Sequence, residues 1–262
     1  MPSASNWDDL RPRVIWGLAM IAVGVFAIWF GGIWFQMLTV FATAVMIWEL
    51  SRMIQPDGAA GMLLAVLTAT TLSAALALES GAYVALLLAP ALAGAVALPR
   101  AKLAFAGFAL GVMLAGWALI TFRDTFGMAW LFWLVICVVV TDVAGYFAGR
   151  TFGGPKFWPS ISPKKTWSGI LAGWLGAAFV GWLFVAFAGA SANLIWVSVV
   201  LSFASQMGDI TESAIKRRMG VKDSSDLIPG HGGLFDRFDG LLGAALFMLL
   251  ISLLIDLPQV HP

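Results

Sequence analysis

The chain has 262 residues, of which 61% are hydrophobic and only 11% are charged, and its mean hydropathy is +0.92. Because soluble domains carry about 25% charged residues, this composition excludes an ordinary soluble globular protein. The net charge of +1, without an arginine-rich arm, gives no indication of nucleic-acid binding, and a single cysteine, Cys137, excludes an intrachain disulfide.

Long apolar runs predict an all-α, polytopic membrane bundle of about nine spanning helices. Residues 14–48 contain no charge for 35 positions, which is too long for one span, and the Gly31-Gly32 pair divides this run into spans near 14–30 and 33–49. The first is interpreted as a retained span rather than a cleaved signal peptide. The third and fourth spans are predicted at 61–78 and 82–98, with a break at 79–81, and the fifth and sixth at 103–122 and 127–149. Residues 169–211 are predicted to contain two spans with a break near 189–193, and the last span is predicted at 240–255.

The distribution of Lys and Arg predicts the orientation of the bundle. With the N-terminus inside, 14 of the 15 Lys and Arg residues fall on inner segments and only Arg123 falls outside. The C-terminus is then expected outside. The inner segments are 1–13, 50–60, 99–102, 150–168 and 213–239.

No internal repeat is present in the sequence, so we expect a single membrane domain, 1–262, with N-terminal spans in 1–125 and catalytic spans and cytoplasmic loops in 126–262. The loops 150–168 and 213–239 carry nine of the 14 inner positive charges. We therefore expect the function to face the cytoplasm.

Acidic side chains recur at the inner ends of three predicted spans. Asp142 lies in the sixth span, Asp209 in the eighth, and Asp236 and Asp239 open the ninth. A carboxylate inside a span costs roughly 2.5–3.5 kcal/mol on insertion scales, so each of these acids needs a partner. Asp236 and Asp239, three residues apart, share one helix face at the positive end of the helix dipole.

Acids, basic residues and a glycine-rich loop together indicate phosphoryl-type chemistry. Converging carboxylates repel one another unless cations lie between them, and oxygen ligands without a Cys or His cluster suit Mg²⁺. The glycines of "PGHGG", 229–233, allow backbone N–H groups to approach an anion. Metal ions and basic side chains neutralise phosphate oxygens during transfer. The basic residues near the acids are Lys164, Lys165, Lys216, Arg217, Lys222 and Arg237.

Plainer structural roles stay open for some of these residues. Asp142 is also placed to pair with Arg150 between helices. Glu212 precedes Lys216 by four residues, which favours a helix ion pair over metal ligation. His231 fits a general base, a phosphate donor or a turn residue equally well.

Residues 213–239, "SAIKRRMGVKDSSDLIPGHGGLFDRFD", resemble the signature of the phosphatidate cytidylyltransferases, the CDP-diacylglycerol synthases, and meet every fixed position of it. "DVAGYFAGRTFG" (142–153), "SPKKTWSG" (162–169) and "QMGDITES" (206–213) resemble the segments that precede this signature in the family. One departure is the run 224–226, Ser-Ser-Asp, where the family commonly has glycine, and we expect this position to tolerate change.

The resemblance implies a multi-span enzyme that joins phosphatidate to CTP, forms CDP-diacylglycerol and releases pyrophosphate. It also implies bound Mg²⁺, a second cation site for K⁺, contact with membrane lipids, a homodimer, and a place in the bacterial inner membrane with the active site facing the cytoplasm.

The resemblance further implies a role for each candidate residue. The metal ligands would be Asp209, Asp236, Asp239 and Asp223, and the catalytic residues would be the first three of these with Lys222 and Arg237. The substrate-binding residues would be Ser162, Lys164, Lys165, Thr166, Asp142, Tyr146, Lys216, Arg217, Gly230, His231, Gly232 and Gly233.

Two other classes of function were weighed against this one. A cation transporter also places acids in spans, but it favours broken helices near the midplane of the bilayer, whereas these acids cluster at one face beside basic loops. Another metal-dependent lipid-phosphate transferase, such as a CDP-alcohol phosphotransferase or a lipid kinase, is the closer alternative. The Asp-Gly-x-x-Ala-Arg pattern of the CDP-alcohol enzymes is absent from the sequence.

Overall fold

A computed structural model describes residues 10–78 and 83–254. Within these residues the chain forms nine helices and one pair of short strands. In chain order they are α1 Leu10–Phe30, α2 Gly32–Ile54, α3 Ala60–Ala77, α4 Tyr83–Ala97, α5 Lys102–Phe126, α6 Met128–Phe152, β1 Lys156–Trp158, β2 Ser162–Thr166, α7 Trp167–Phe187, α8 Asn193–Met219 and α9 Phe235–Ser252.

Two predicted breaks between helices are confirmed. Gly31 separates α1 from α2 with φ of 62°, a left-handed conformation that glycine adopts without a steric penalty. The second break follows α7, where Gly189 also has φ of 62°, and α8 begins at Asn193. The predicted break at 79–81 and the predicted placement of the two chain ends lie outside the described residues.

The helices confirm the membrane class. Six of them, α2, α3, α5, α6, α7 and α8, are long and apolar enough to cross a bilayer. Shorter apolar stretches occur at Val14–Phe30 and Ala85–Ala97, and α9 carries Asp236 in its first turn. An all-α membrane protein is therefore established, whereas the count of nine spans and the inside position of the N-terminus stay predictions.

The basic loop 150–168 differs from its prediction because it contains two strands. β1 pairs antiparallel with β2, with Lys156 opposite Thr166 and Trp158 opposite Ser162, and the register shifts between these pairs. At the connection, the Ile161 amide donates to the Trp158 carbonyl at 3.2 Å. Strands of three and five residues are too short to show an alternating pattern in sequence, so the hairpin was missed.

The chain divides into two compact units, each of which is continuous in space but not in sequence. Unit 1 combines the residues up to Met113 with Val221–Arg237, and unit 2 combines Leu114–Gly220 with the residues from Phe238 onward. The expected division near residue 125, and the single domain, stay predictions.

Unit 2 is held together by close helix packing and buried polar pairs. The Trp133 indole N–H donates to Ser198 Oγ at 2.9 Å, and Thr141 Oγ1 donates to Ser202 Oγ at 2.8 Å, so α6 and α8 are joined by two bonds in the core. Hydrogen bonds of this kind between membrane helices contribute about 0.6 kcal/mol each on average. Cys137, on α6, is fully buried, as its place within an apolar run predicts.

Candidate active site

In unit 2, the second strand of the hairpin places one lysine against an acid. Lys165 Nζ lies 2.5 Å from Asp209 Oδ2 and also donates to the Gln206 carbonyl at 3.4 Å. Because successive side chains of a strand point to opposite faces, Lys164 lies on the other face and is exposed. The two adjacent lysines, predicted as equivalent phosphate ligands, therefore have different surroundings.

A second carboxylate joins this ion pair from α9. Asp239 is half-buried, accepts a hydrogen bond from the Gly240 amide at 2.8 Å, and lies within electrostatic range of Asp209, Asp142 and Lys165. The four side chains are hereafter the acid–lysine cluster. The three acids come from α6, α8 and α9, and their electrostatic interaction supports the prediction that acids from three different spans converge.

Glycines explain how the two helices bring their acids together. A Cβ on Gly208 would collide with the Asp239 carbonyl oxygen, and a Cβ on Gly243 would collide with the Ala204 carbonyl oxygen. α8 and α9 therefore contact each other backbone to backbone, immediately beside Asp209. Small residues at helix interfaces allow such close approach in membrane proteins.

The acid–lysine cluster fits a magnesium ion bound jointly with substrate. Mg²⁺ is commonly held by one or two carboxylates together with phosphate oxygens and water, rather than by an all-protein cage. Asp209 and Asp239 supply two carboxylates. No group of three or more His, Cys, Asp or Glu side chains is arranged as a metal site within residues 10–78 and 83–254. The assignment of Mg²⁺ and K⁺ to particular acids stays a prediction.

The remaining predicted residues of α6 and the hairpin have observable partners. Arg150 donates to the Tyr146 hydroxyl at 2.8 Å, and both side chains are exposed on α6. Thr166 is buried and caps α7, because its Oγ1 accepts from the Gly169 amide at 3.3 Å. Ser162 begins β2 and is half-buried. A substrate role for Thr166 stays a prediction, because in the structure its hydroxyl caps the N-terminus of α7.

The alternative for Glu212 is confirmed. Lys216 Nζ lies 2.6 Å from Glu212 Oε2, one turn apart on α8, with side chains that are 11% and 2% exposed. This pair is buried, so Lys216 is held by Glu212 in the structure and its predicted contact with phosphate stays a prediction. Arg217, next along the last turn of α8, is exposed.

In unit 1, residues 221–237 form what we call the signature loop. Asp236 Oδ2 accepts three hydrogen bonds within it, from the Ser224 amide and hydroxyl, both at 2.9 Å, and from the Gly233 amide at 2.8 Å. A carboxylate oxygen offers about two lone-pair sites, so Oδ2 is fully used in shaping the loop. The predicted metal role of Asp236 stays a prediction.

The loop glycines take the conformations that their predicted role requires. Gly230 and Gly232 have φ of 76° and 81°, where any other residue would be strained. Gly233 has no room for a side chain, because an added Cβ would collide with Ser224 Oγ and Glu49 Oε1. Their shaping of the loop is confirmed, whereas contact with substrate stays a prediction.

The loop encloses an open, polar pocket of about 420 Å³. Its charged walls are Lys222, Arg237, Asp223 and Asp226, with His231 between them. The predicted catalytic side chains Lys222 and Arg237 thus face one cavity, and Asp223 lies there as an exposed carboxylate.

His231 takes part in the turn through its backbone. Its amide donates to the Ile228 carbonyl at 2.9 Å, and its own carbonyl accepts from Arg237 Nε at 2.9 Å. The turn alternative is therefore confirmed for the backbone, and the two chemical alternatives for the ring stay open.

Sequence reasoning missed one residue of this site and the side-chain contacts of two others. Glu49 accepts hydrogen bonds from Ser225 Oγ and from the Leu234 and Phe235 amides, and its signal was a lone acid at the end of an apolar run. Ser224 and Ser225, expected at a tolerant position, both bind these carboxylates. A short polar run in sequence does not reveal which carboxylate will approach it.

Comparison with known proteins identifies relatives over the full chain. The model of the cytidylyltransferase family matches residues 11–255. A protein of Brucella suis biovar 1 (strain 1330) named phosphatidate cytidylyltransferase is 33% identical over 270 aligned residues, which cover 97% of this chain and 97% of that protein. Proteins of the same name from Haemophilus influenzae and Bacillus subtilis (strain 168) are 41% and 38% identical over 128 and 122 residues, covering 46% and 45% of this chain and 44% and 45% of their own.

Proposed function

The chain belongs to the cytidylyltransferase family, and we propose that it is a phosphatidate cytidylyltransferase, which transfers CMP from CTP to phosphatidate and releases pyrophosphate. The family match and the full-length relatives support the reaction class. The observation that carries the proposal to particular atoms is the acid–lysine cluster, where Lys165 meets Asp209 beside Asp239.

The reaction brings two anionic substrates together, and this determines what the side chains must do. A phosphate oxygen of phosphatidate attacks the α-phosphorus of CTP, the new P–O bond forms, and the bond to the β-phosphate oxygen breaks. The phosphate acceptor is already ionised at neutral pH, so no general base is needed. Lys165 binds phosphate oxygens and offsets their charge as the substrates approach.

Asp209 and Asp239 would hold Mg²⁺, whose charge would neutralise phosphate oxygens and stabilise the leaving pyrophosphate. Lys165 holds Asp209 in place through the ion pair. The pair of carboxylates, rather than a single one, is what supports the choice of a divalent cation at this position. A K⁺ site, and metal ligation by Asp223 and Asp236, are proposed from the family resemblance alone.

The remaining basic residues complete the substrate-binding set of the proposal. Lys222 and Arg237 bind phosphate in the signature-loop pocket, whose size and polar walls support a phosphate-bearing ligand. Exposed Lys164 and Arg217 bind phosphate groups that arrive from solvent or from the lipid surface. Asp142, itself part of the acid–lysine cluster, and Tyr146, one turn further along α6, line the same region of the substrate site.

We also propose the membrane setting of this activity. The chain crosses the bacterial inner membrane nine times with its N-terminus in the cytoplasm, and the active site faces the cytoplasm, where CTP is available. Phosphatidate enters from the bilayer. The charge asymmetry of the loops supports this orientation, and a homodimer is proposed from the family resemblance alone.

The proposal is tested by following two labels of CTP. Purified protein is incubated with phosphatidate, Mg²⁺ and CTP labelled at either the α- or the γ-phosphate. We expect the α-label in a lipid that co-migrates with CDP-diacylglycerol and the γ-label only in pyrophosphate. Transfer of the γ-label to lipid would instead indicate a lipid kinase, and absence of label from lipid in folded protein would contradict the proposal.

A further inference from the structure

Unit 1 contains a buried carboxylate that the proposed reaction does not explain. Glu49 lies on α2, and its side chain is 0% exposed. An ionisable group inside an apolar helix is costly unless polar partners compensate it. Three donors do so here, Ser225 Oγ at 2.6 Å and the Leu234 amide at 2.8 Å, both to Oε1, and the Phe235 amide at 2.7 Å to Oε2. All three belong to the signature loop, although they are 176 to 186 residues away in sequence.

Two of these donors lie where a helix begins. α9 starts at Phe235, and the first amides of a helix have no partner within the helix and carry a partial positive charge. Caps are usually supplied by a neighbouring residue in sequence. Here α2 supplies the cap through Glu49, so Phe235, the first residue of α9, is fixed to α2 within unit 1.

Asp236 anchors the same segment from its other side. The Gly233 amide donates to Asp236, whereas the next two amides, of Leu234 and Phe235, donate to Glu49. Three successive amides are thus divided between two carboxylates. Since a Cβ on Gly233 would collide with Glu49 Oε1, the backbone at this position lies directly against the Glu49 carboxylate and has no room for a side chain.

We infer that Glu49 is a positioning residue for CMP transfer: it holds the signature loop so that the pocket side chains Lys222, His231 and Arg237 are correctly placed. Its kinetic consequence rests on the proposed function, whereas its hold on the loop does not. Glu49 acts through the backbone amides of Leu234 and Phe235 and through Ser225, since its hydrogen bonds are made to these groups.

The substitution Glu49→Gln isolates this role. Glutamine keeps the size of the side chain but replaces one acceptor oxygen with an NH₂ donor, which faces an N–H or O–H group of the loop. We expect KM for CTP to rise about tenfold while kcat of the folded protein changes less than about threefold, because loop placement affects substrate binding before and during reaction alike. A role limited to overall stability would lower the active fraction and leave KM unchanged. Glu49→Asp, which keeps the charge, should recover part of the affinity.

Hydrogen–deuterium exchange provides a readout that is independent of activity. In Glu49→Gln, peptides that contain Leu234 and Phe235 should exchange at least about tenfold faster, because their amides lose an acceptor. Peptides of α6 and α7 should be unchanged. Ser51→Ala is the matched control, since Ser51 is a buried polar residue of α2 whose hydroxyl donates to the Trp48 carbonyl of the same helix at 2.7 Å. It should match the wild type in both measurements.

Wild-type KM and wild-type exchange in Glu49→Gln would overturn the inference and leave the proposed function standing. Should Glu49→Gln fail to fold, Ser225→Ala decides, because it removes one donor to Glu49. It also removes the acceptor of the Leu227 amide, so exchange is measured at Leu234 and Phe235. Both KM and this exchange should rise by about twofold to threefold, and no change in either would equally overturn the inference. Faster loop exchange in a protein whose wild type makes no CDP-diacylglycerol would overturn the proposed function while supporting the anchoring of the loop.

Discussion

Adjacent lysines of β2 illustrate how much one residue position changes a chemical role. Lys165 is paired with Asp209 inside the acid–lysine cluster, whereas Lys164 is exposed on the opposite face of the strand. The sequence predicted both as phosphate ligands but gave no reason to rank them. The hairpin distinguishes the two lysines, because adjacent side chains of a strand point to opposite faces.

We predict that Lys165→Met lowers kcat/KM for CMP transfer at least about 100-fold, a loss of about 2.7 kcal/mol in transition-state stabilisation. Both phosphate charge and the position of Asp209 depend on this side chain. Lys164→Met should cost less than about tenfold and should appear mainly in KM. Steady-state kinetics with labelled CTP check the order, and equal losses in the two variants would contradict it.

The buried pair Glu212–Lys216 is predicted to serve stability. Glu212→Gln removes one partner and leaves the Lys216 charge buried, which costs about 3–5 kcal/mol for strongly buried pairs. Thermal unfolding in detergent should show a clear drop in Tm, while the folded protein keeps its kcat. The double variant Glu212→Met with Lys216→Met should recover stability, since it buries no unpaired charge. An unchanged Tm in Glu212→Gln would refute this role.

At the level of helices, the apolar pattern and the glycine breaks could be read from the sequence, but the approach of α8 to α9 could not. Hydrophobic runs report which segments cross a membrane, and they say nothing about which faces meet. Gly208 and Gly243 make that contact possible. Asp209 and Asp239 were predicted to converge because both lie at the inner ends of predicted spans, whereas nothing in the sequence indicated the link of Glu49 to the signature loop.

Gly208→Ala should therefore separate the two acids. Its Cβ meets backbone atoms of Asp239 and Gly243, which cannot rotate away as a side chain does. We expect a lower Tm and a loss of activity of more than about tenfold, because overpacking of a tight contact costs roughly 1–3 kcal/mol. Gly107→Ala, on α5, is the control, since an added Cβ there has no neighbour within 4 Å. Its Tm should stay level or rise, and a matching loss in both variants would contradict the packing argument.

For the whole molecule, the distribution of Lys and Arg predicts which loops face the cytoplasm. In intact cells, a membrane-impermeant maleimide should label Asp124→Cys, beside the outer end of α5, and should label Lys156→Cys in β1 only after permeabilisation. Both positions are exposed, and the fully buried Cys137 supplies little background. Labelling of Lys156→Cys in intact cells would reverse the proposed orientation.

The proposed reaction depends most on Asp239 and Asp209 as the carboxylates that hold Mg²⁺ during CMP transfer. The most direct test measures label from α-³²P-CTP in phosphatidate against Mg²⁺ concentration, for the wild type, Asp239→Asn and Asp57→Asn, an exposed acid in the turn after α2. We predict that wild type and Asp57→Asn share one Mg²⁺ requirement, that chelation abolishes transfer, and that folded Asp239→Asn is at least about 100-fold slower or needs far more Mg²⁺. Wild-type transfer by Asp239→Asn at an unchanged Mg²⁺ requirement would contradict the assignment.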